Sequence, residues 1–237
     1  MNEELWYERL GFYENPFSIR PEAFPTDMVG PTEIVQLVNE RVDEGTVTLL
    51  LGEYGAGKTT SMKKIIGKFR GDKKVIYYSC NRKSGAVDFD KLLYKRSWYN
   101  SLFRIKPKDM ILLLDEAQYL NSGEQHELIK DYEDGFFKSI VLITHNLNDI
   151  ILTPELKDLI GSDVYRLRLL SPEEAVELVR DRIGDLEILS DDMIKEIHSF
   201  NKNPRRILEN CEDVCREAVE QGDDQVMKKH LKVLKKK

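Results

Sequence analysis

A glycine-rich octapeptide carries the most specific chemical pattern in the chain. Residues 52–59 read Gly-Glu-Tyr-Gly-Ala-Gly-Lys-Thr and match the pattern G-x-x-x-x-G-K-[ST]. In this pattern backbone N–H groups face phosphates, the lysine reaches the β- and γ-phosphates, and the hydroxyl binds Mg²⁺. The sequence therefore predicts an ATP site with Thr59 as a metal ligand. Its residues are Gly52, Glu53, Tyr54, Gly55, Ala56, Gly57, Lys58, Thr59 and Thr60.

Two adjacent carboxylates end the apolar run 111–114 and form the second candidate group. Ligands gather at the carboxyl ends of parallel strands, so we expect Asp115 to bind Mg²⁺, directly or through water. Glu116 is then placed to polarise the attacking water. The presence of this second acid indicates that the site hydrolyses ATP rather than only holding it. The alternative is a surface Asp-Glu pair that opens a loop, but the glycine-rich loop favours the hydrolytic interpretation.

Polar residues also follow the next apolar run, which ends in Thr144-His145-Asn146. Either Asn146 or Thr144 could sense the γ-phosphate, although asparagine is also a common turn former. His145 is interpreted as an ordinary polar or core residue, because the histidines of the chain show no metal-ligand spacing. Asn81, after another apolar run, could hold Glu116 away from water until a partner binds.

A further candidate lies in the first turn of a predicted helix that begins at Pro204. The helix dipole disfavours a cation at this end, so Arg205 suggests an external anion such as the γ-phosphate. The alternative is an ion pair with Glu209, four residues further along the same helix.

The elements that position these residues alternate between strands and helices. Strand-like runs cover 47–51, 74–79, 110–114, 139–144 and 165–169, and a helical pattern covers 59–69. This alternation predicts an α/β fold with a mostly parallel sheet. From Ser171 onward the pattern is helical, with caps at Ser171 and Ser190. We therefore predict an ATPase core with an N-terminal segment over 1–170 and a helical domain with a basic tail over 171–237.

Composition excludes several classes of protein. The 237 residues are 41% hydrophobic and 33% charged, which is typical of a globular chain. No apolar run approaches the roughly 18 residues of a membrane helix, and the first residues lack the features of a secretory signal, so we expect a cytoplasmic protein. The net charge is −6, yet the last 13 residues hold lysines and no acid. That tail could contact nucleic acid phosphates or an acidic partner, or it is a solvated helix end, the interpretation that we favour.

Four segments together resemble an AAA+ P-loop ATPase. They are 52–60, 112–118 (Leu-Leu-Leu-Asp-Glu-Ala-Gln), the polar end of the fourth strand, and 203–208. Segments 10–17 and 170–174 are similar to the subgroup of the secretion-associated ATPase component A and transposition-helper ATPases, with archaeal origin-recognition ATPases as neighbours. The resemblance implies sheet order 5-1-4-3-2, a small four-helix lid, and adenine held between the N-terminal segment and the lid.

The resemblance also implies roles for site residues. Glu116 would be the base, Asn146 or Thr144 the first sensor, and Arg205 the second sensor. Members of the family usually place an arginine finger before the fifth strand, but residues 159–163 read Leu-Ile-Gly-Ser-Asp. The nearest basic residues are Lys157 and Arg166, which puts hydrolysis in trans within a ring in doubt.

These observations predict a Mg²⁺-dependent ATPase that acts as a nucleotide switch on a protein or DNA assembly. One alternative is a nucleotide-gated adaptor with little turnover. Another is a small-molecule phosphotransferase, against which the acid after Asp115 argues. Relatives in the resembled family carry a winged helix or a membrane segment after the lid, and these segments act on the target. This sequence shows neither, so we expect a protein partner to supply this effector part. DNA and a second copy of the chain are further candidate partners, and no membrane insertion is expected.

Overall fold

The structure, a computed structural model, describes residues 5–19, 30, 32–69, 74–81, 85–94 and 106–236. They fall into two compact units. The sheet unit consists of residues 32–167, and the helical unit consists of the segment before residue 32 together with residues from 168 onward. No helix of the described residues combines the length and the apolar character that a bilayer crossing requires.

Five parallel strands form the centre of the sheet unit. They lie in the order β2-β3-β4-β1-β5, which is the predicted order read from the opposite edge. This confirms the α/β P-loop fold. The strands are β1 (Val47–Leu51), β2 (Val75–Ser79), β3 (Met110–Asp115), β4 (Phe137–Thr144) and β5 (Val164–Arg166).

The central strands are buried because each is an almost unbroken run of large apolar side chains. All of β1 is buried, and in β3 only the last residue, Asp115, is partly exposed. A parallel sheet covered on both faces requires such continuous runs. The helices of this unit are α1 (Thr32–Glu44), α2 (Lys58–Phe69), α3 (Phe89–Tyr94), α4 (Ser122–Glu133) and α5 (Pro154–Ile160).

Strand β5 differs from its predicted bounds of 165–169. Its pairing with β1 covers three positions, from Leu49 opposite Val164 to Leu51 opposite Arg166. The ladder stops there because β1 itself stops at Leu51, where the glycine-rich loop leaves the sheet. One further backbone hydrogen bond, from Leu167 N to Leu51 O at 2.8 Å, closes this edge.

The helical unit contains α6 (Pro172–Ile183), α7 (Asp191–Phe200) and α8 (Pro204–Gln221). A 3-10 helix, His230–Lys236, follows them, so the described residues after 167 hold three α-helices rather than four. Ser171 forms a capping box with Glu174, and Ser190 caps α7. Both caps occur where the sequence predicts them. Cys211 and Cys215 are buried on α8 as free thiols, and burial raises the pKa of Cys215 to about 12.

The N-terminal segment packs within the helical unit, whereas the predicted boundary at residue 170 places it with the ATPase core. Phe17 is buried in the helical core, and Trp6 stacks on it with 6.2 Å between ring centroids. Arg9 also donates a hydrogen bond to the carbonyl of Val219 at 3.1 Å. The apolar aromatic side chains of the segment therefore pack against the core of the helical unit.

Candidate nucleotide site

The glycine-rich loop joins β1 to α2 and has backbone angles that favour glycine. Gly55 has φ 84° and Gly57 has φ 94°, both in the left-handed region that costs other residues free energy. Lys58 is the first residue of α2, so the loop ends where N–H groups of the first helical turn are unpaired within the helix. This is the local geometry of an anion site.

The ammonium of Lys58 has three acceptors around it. Its Nζ lies 2.7 Å from the carbonyl oxygen of Gly52, 3.1 Å from that of Glu53 and 2.9 Å from Nδ1 of His145. A lysine has three N–H donors, so all three are used. Burial lowers the pKa of Lys58, and the negative charges of Glu116 and Asp115 oppose that shift.

Asp115 ends β3 at the carboxyl edge of the sheet. Its Oδ2 accepts a hydrogen bond from the hydroxyl of Tyr77 at 3.1 Å, and its Oδ1 accepts one from the backbone N of Glu116 at 3.0 Å. Burial raises the pKa of Asp115, and the Tyr77 hydrogen bond acts in the opposite direction. An aspartate carboxylate and the exposed Thr59 offer the oxygen ligands that Mg²⁺ prefers, so these residues fit that ion.

Glu116 turns the chain sharply at the end of β3. It has φ 56° and ψ 42°, a left-handed conformation that is uncommon for a residue with a side chain and often occurs at functional sites. The 3-10 helix Ala117–Tyr119 follows at once. This turn brings Gln118 back toward Glu116, and Gln118 Nε2 donates to Glu116 Oε2 at 2.6 Å.

His145 connects the base candidate to the lysine. Its Nε2 lies 3.2 Å from Glu116 Oε2, while its Nδ1 faces Lys58. Lysine only donates and a carboxylate only accepts, so a neutral His145 with its proton on Nε2 satisfies both contacts. On the other side, Thr144 donates its hydroxyl to Gln118 Oε1 at 2.8 Å, and Thr144 O accepts from Gly52 N at 3.1 Å.

These contacts close into a ring of hydrogen bonds, which we call the site ring. Its six residues belong to the loop, the end of β3 with its 3-10 turn, and the end of β4: Gly52, Lys58, Glu116, Gln118, Thr144 and His145. The ring brings the two predicted motifs together at the carboxyl edge of neighbouring strands. Sequence reasoning missed Gln118 and His145 as site residues, and the position of His145 directly after β4 was the available signal.

The remaining predicted residues have mixed placements. Asn146 is exposed, and its Oδ1 accepts from the backbone N of Asn148 at 3.4 Å, as a turn former does. Asn81 is exposed after β2, whereas Gln118 and His145 hold Glu116. The sensor roles of Asn146 and Thr144 stay predictions.

Arg205 lies in the first turn of α8 within the helical unit. Its Nε donates to Glu209 Oε1 at 3.0 Å, and Arg206 donates to Oε2 of the same carboxylate at 2.6 Å. Burial acts to raise the pKa of Glu209, but these hydrogen bonds outweigh it and the pKa is lowered. The pair with Glu209 is the alternative that the sequence left open, and the sensor role of Arg205 stays a prediction.

The sheet order, the loop after β1 and the two carboxylates at the end of β3 define the class of P-loop NTPases. Residues 44–172 match the AAA domain family, and the chain belongs to that family. It is therefore an ATP-binding protein of the AAA+ type. The narrower resemblance to secretion-associated and transposition-helper ATPases stays a prediction.

Several solved structures share the fold at low sequence identity. Cdc6p from Pyrobaculum aerophilum superposes with TM-score 0.67 and 16% identity, over 93% of this chain and 70% of that one. ORC1 from Aeropyrum pernix, solved in complex with DNA, gives TM-score 0.65 and 16% identity over 94% and 69%. RuvB, the Holliday junction branch migration motor of Thermotoga maritima, gives TM-score 0.63 and 20% identity over 87% and 70%.

One curated sequence also matches a part of the chain. ABC transporter G family member 25 of Oryza sativa subsp. japonica is 37% identical over 59 residues, which are 25% of this chain. The match spans 6% of the length of that transporter. It is therefore a local similarity.

Proposed function

We propose that the protein hydrolyses Mg²⁺-ATP and that nucleotide state switches a protein or DNA assembly. The observation that carries the proposal is the position of His145, which touches Lys58 at 2.9 Å and Glu116 at 3.2 Å. The phosphate-binding lysine and the candidate base are therefore separated by a single imidazole ring, which contacts both. That juxtaposition is what hydrolysis of a terminal phosphate requires.

Each residue of the site then has a distinct role. The backbone of residues 52–60 and the Lys58 ammonium bind the phosphates, while Thr59 and Asp115 would hold Mg²⁺. The ion would neutralise charge that develops on the phosphates. Glu116 accepts a proton from the attacking water, because its carboxylate lies at the same sheet edge as Lys58.

Partners are proposed from the rest of the chain. A protein partner would supply the effector part, and Arg205 would report nucleotide state by exchanging Glu209 for a phosphate. DNA is a further candidate, since two structural neighbours, ORC1 from Aeropyrum pernix and ORC from Drosophila, are described with bound DNA. The tail argues for modest affinity, because Lys228 lies 3.7 Å from Glu196 and Lys229 pairs with Asp223. A homo-oligomer and a cytoplasmic location complete the proposal.

Steady-state hydrolysis by wild type and by Glu116→Gln tests the central step. Loss of a general base should lower kcat by about 10²- to 10⁴-fold while ATP binding persists. Glu155→Gln is the matched control, since Glu155 is 58% exposed on α5 and should leave the rate unchanged. Equal rates for Glu116→Gln and wild type would refute the role of Glu116.

A second candidate function is a nucleotide-gated adaptor with little turnover. The segment from α5 to β5 contains no arginine before Arg166, so the usual finger is absent from this part of the sequence. An adaptor should bind ATP tightly and turn it over slowly in wild type as well as in Glu116→Gln. Robust hydrolysis that is independent of protein concentration and of any partner would exclude this candidate.

A further inference from the structure

The Glu116 carboxylate is held from one side by a two-step chain of hydrogen bonds. Gln118 Nε2 donates to Glu116 Oε2 at 2.6 Å, and Thr144 Oγ1 lies 2.8 Å from Gln118 Oε1. The direction of the chain follows from donor chemistry. Because an ionised carboxylate only accepts, the NH₂ group of Gln118 must face Glu116, and its carbonyl oxygen must accept the proton of the Thr144 hydroxyl.

The far end of this chain is firmly anchored. Thr144 is 1% exposed and is the last residue of β4, where it lies opposite Leu51 of β1. Its carbonyl also accepts from Gly52 N at 3.1 Å. Thr144 is therefore fixed by backbone bonds to the strand that leads into the glycine-rich loop, and it transmits that position to Gln118.

We propose that Thr144 and Gln118 are positioning residues for Glu116, and that Thr144 acts through Gln118 rather than on the γ-phosphate. The proposal rests on the proposed role of Glu116 as the base. A phosphate oxygen and Gln118 Oε1 are both acceptors, and the Thr144 hydroxyl has one proton to donate. Contact with the γ-phosphate would therefore cost the bond to Gln118.

The consequence for the base is a fixed choice of oxygen. Among the residues that the structure describes, both partners of the Glu116 carboxylate, Gln118 and His145, contact Oε2. Oε1 is left to receive the proton of the attacking water. Without the chain, only the His145 contact would hold the carboxylate, so it could rotate more freely and the fraction of time in which a basic oxygen faces the water would fall.

The test compares Thr144→Val, Thr144→Ser, Gln118→Leu and the double variant Thr144→Val with Gln118→Leu. Each of Thr144→Val and Gln118→Leu should lower kcat by about 10-fold, with the Kd for ATP within about twofold of wild type. Thr144→Ser retains the hydroxyl and should therefore keep a kcat close to that of wild type. The double variant should be no slower than Gln118→Leu alone, because both substitutions break one chain.

Gln221→Leu is the matched control, since Gln221 donates to Glu217 at 2.5 Å on α8 and its loss should leave kcat unchanged. A Thr144→Val variant with weakened ATP binding and unchanged ADP binding would overturn the proposal, as it would indicate direct γ-phosphate contact. Multiplying effects in the double variant would also overturn it. Circular dichroism of Thr144→Val and Gln118→Leu, whose new side chains are close in size to the ones they replace, separates a fault in folding from a fault in the chain.

Failure of this inference is distinguishable from failure of the proposed function. If Glu116→Gln is inactive while Gln118→Leu and Thr144→Val keep full rates, the base assignment stands and the positioning chain is wrong. If Glu116→Gln keeps the wild-type rate, the proposed function fails whatever the other variants do.

Discussion

Replacing His145 with alanine should tighten nucleotide binding. In the structure the Lys58 ammonium donates one hydrogen bond to His145 Nδ1 at 2.9 Å and the other two to the carbonyl oxygens of Gly52 and Glu53. Phosphate oxygens must replace some of these acceptors when ATP binds. The His145 contact therefore stabilises the nucleotide-free state, and its removal lowers the free energy that binding must overcome.

The size of the effect follows from the contact that is lost. His145 is 30% exposed, so its hydrogen bond is partly screened, and a net value of about 0.5–1.5 kcal/mol is appropriate. At 1.4 kcal/mol for each factor of ten, the Kd for ATP should fall by about two- to twelvefold. The same substitution removes one donor from Glu116 Oε2, so kcat should fall rather than rise.

Equilibrium titration with a fluorescent ATP analogue in Mg²⁺ buffer measures the change in Kd. His126→Ala is the control, because His126 is 60% exposed on α4 and should leave the Kd unchanged. Weaker binding by His145→Ala would refute the reasoning. It would mean that His145 supports the loop or contacts the nucleotide itself.

Three further predictions concern stability. Leu112→Ala should lower the free energy of unfolding of the sheet unit by about 2–5 kcal/mol, because Leu112 is fully buried in β3. The control is Leu147→Ala at a 47% exposed position, which should change that free energy by less than about 0.5 kcal/mol. Urea titrations measure both values. Ser171→Ala should cost the helical unit about 1 kcal/mol by breaking the capping box on α6. The hydrogen bonds from Arg168 lower the pKa of Glu174, so the contribution of this carboxylate to stability is complete above its ordinary pKa and is lost as pH falls through the lowered one. Thermal melts from neutral to acidic pH should show that loss, and Arg168→Leu should reduce it because it removes the largest cause of the pKa shift.

Much of the fold could be predicted because the sequence is locally consistent. The strand 47–51 is observed as predicted, α2 begins one residue before its predicted start, and the helix caps at Ser171 and Ser190 form. Each of these features depends on neighbours within a few residues. The order of the strands was implied by the family resemblance and is confirmed.

The features that escaped prediction depend on residues far apart in the chain. Strand β5 is short because β1, the strand it pairs with, ends at Leu51, which no pattern within 164–169 reveals. His145 and Lys58 are 87 positions apart, and their contact arises only when β4 lies beside β1. The aromatic residues of the N-terminal segment indicate that it is buried, but their pattern does not predict which of the two units buries it. Periodicity predicts elements well, but it does not state which side chains meet at a sheet edge.

The site ring also has a thermodynamic consequence. Its hydrogen bonds connect Lys58 to Glu116 through His145, and Glu116 to the loop through Gln118 and Thr144, so a phosphate that replaced His145 as an acceptor of Lys58 would bias the arrangement of Glu116. Linkage requires such a bias to be reciprocal. The free energy by which a bound phosphate reorients the base equals the free energy by which a reoriented base changes the affinity for phosphate. A partner that touched only the turn after β3 would therefore regulate ATP affinity without reaching the nucleotide.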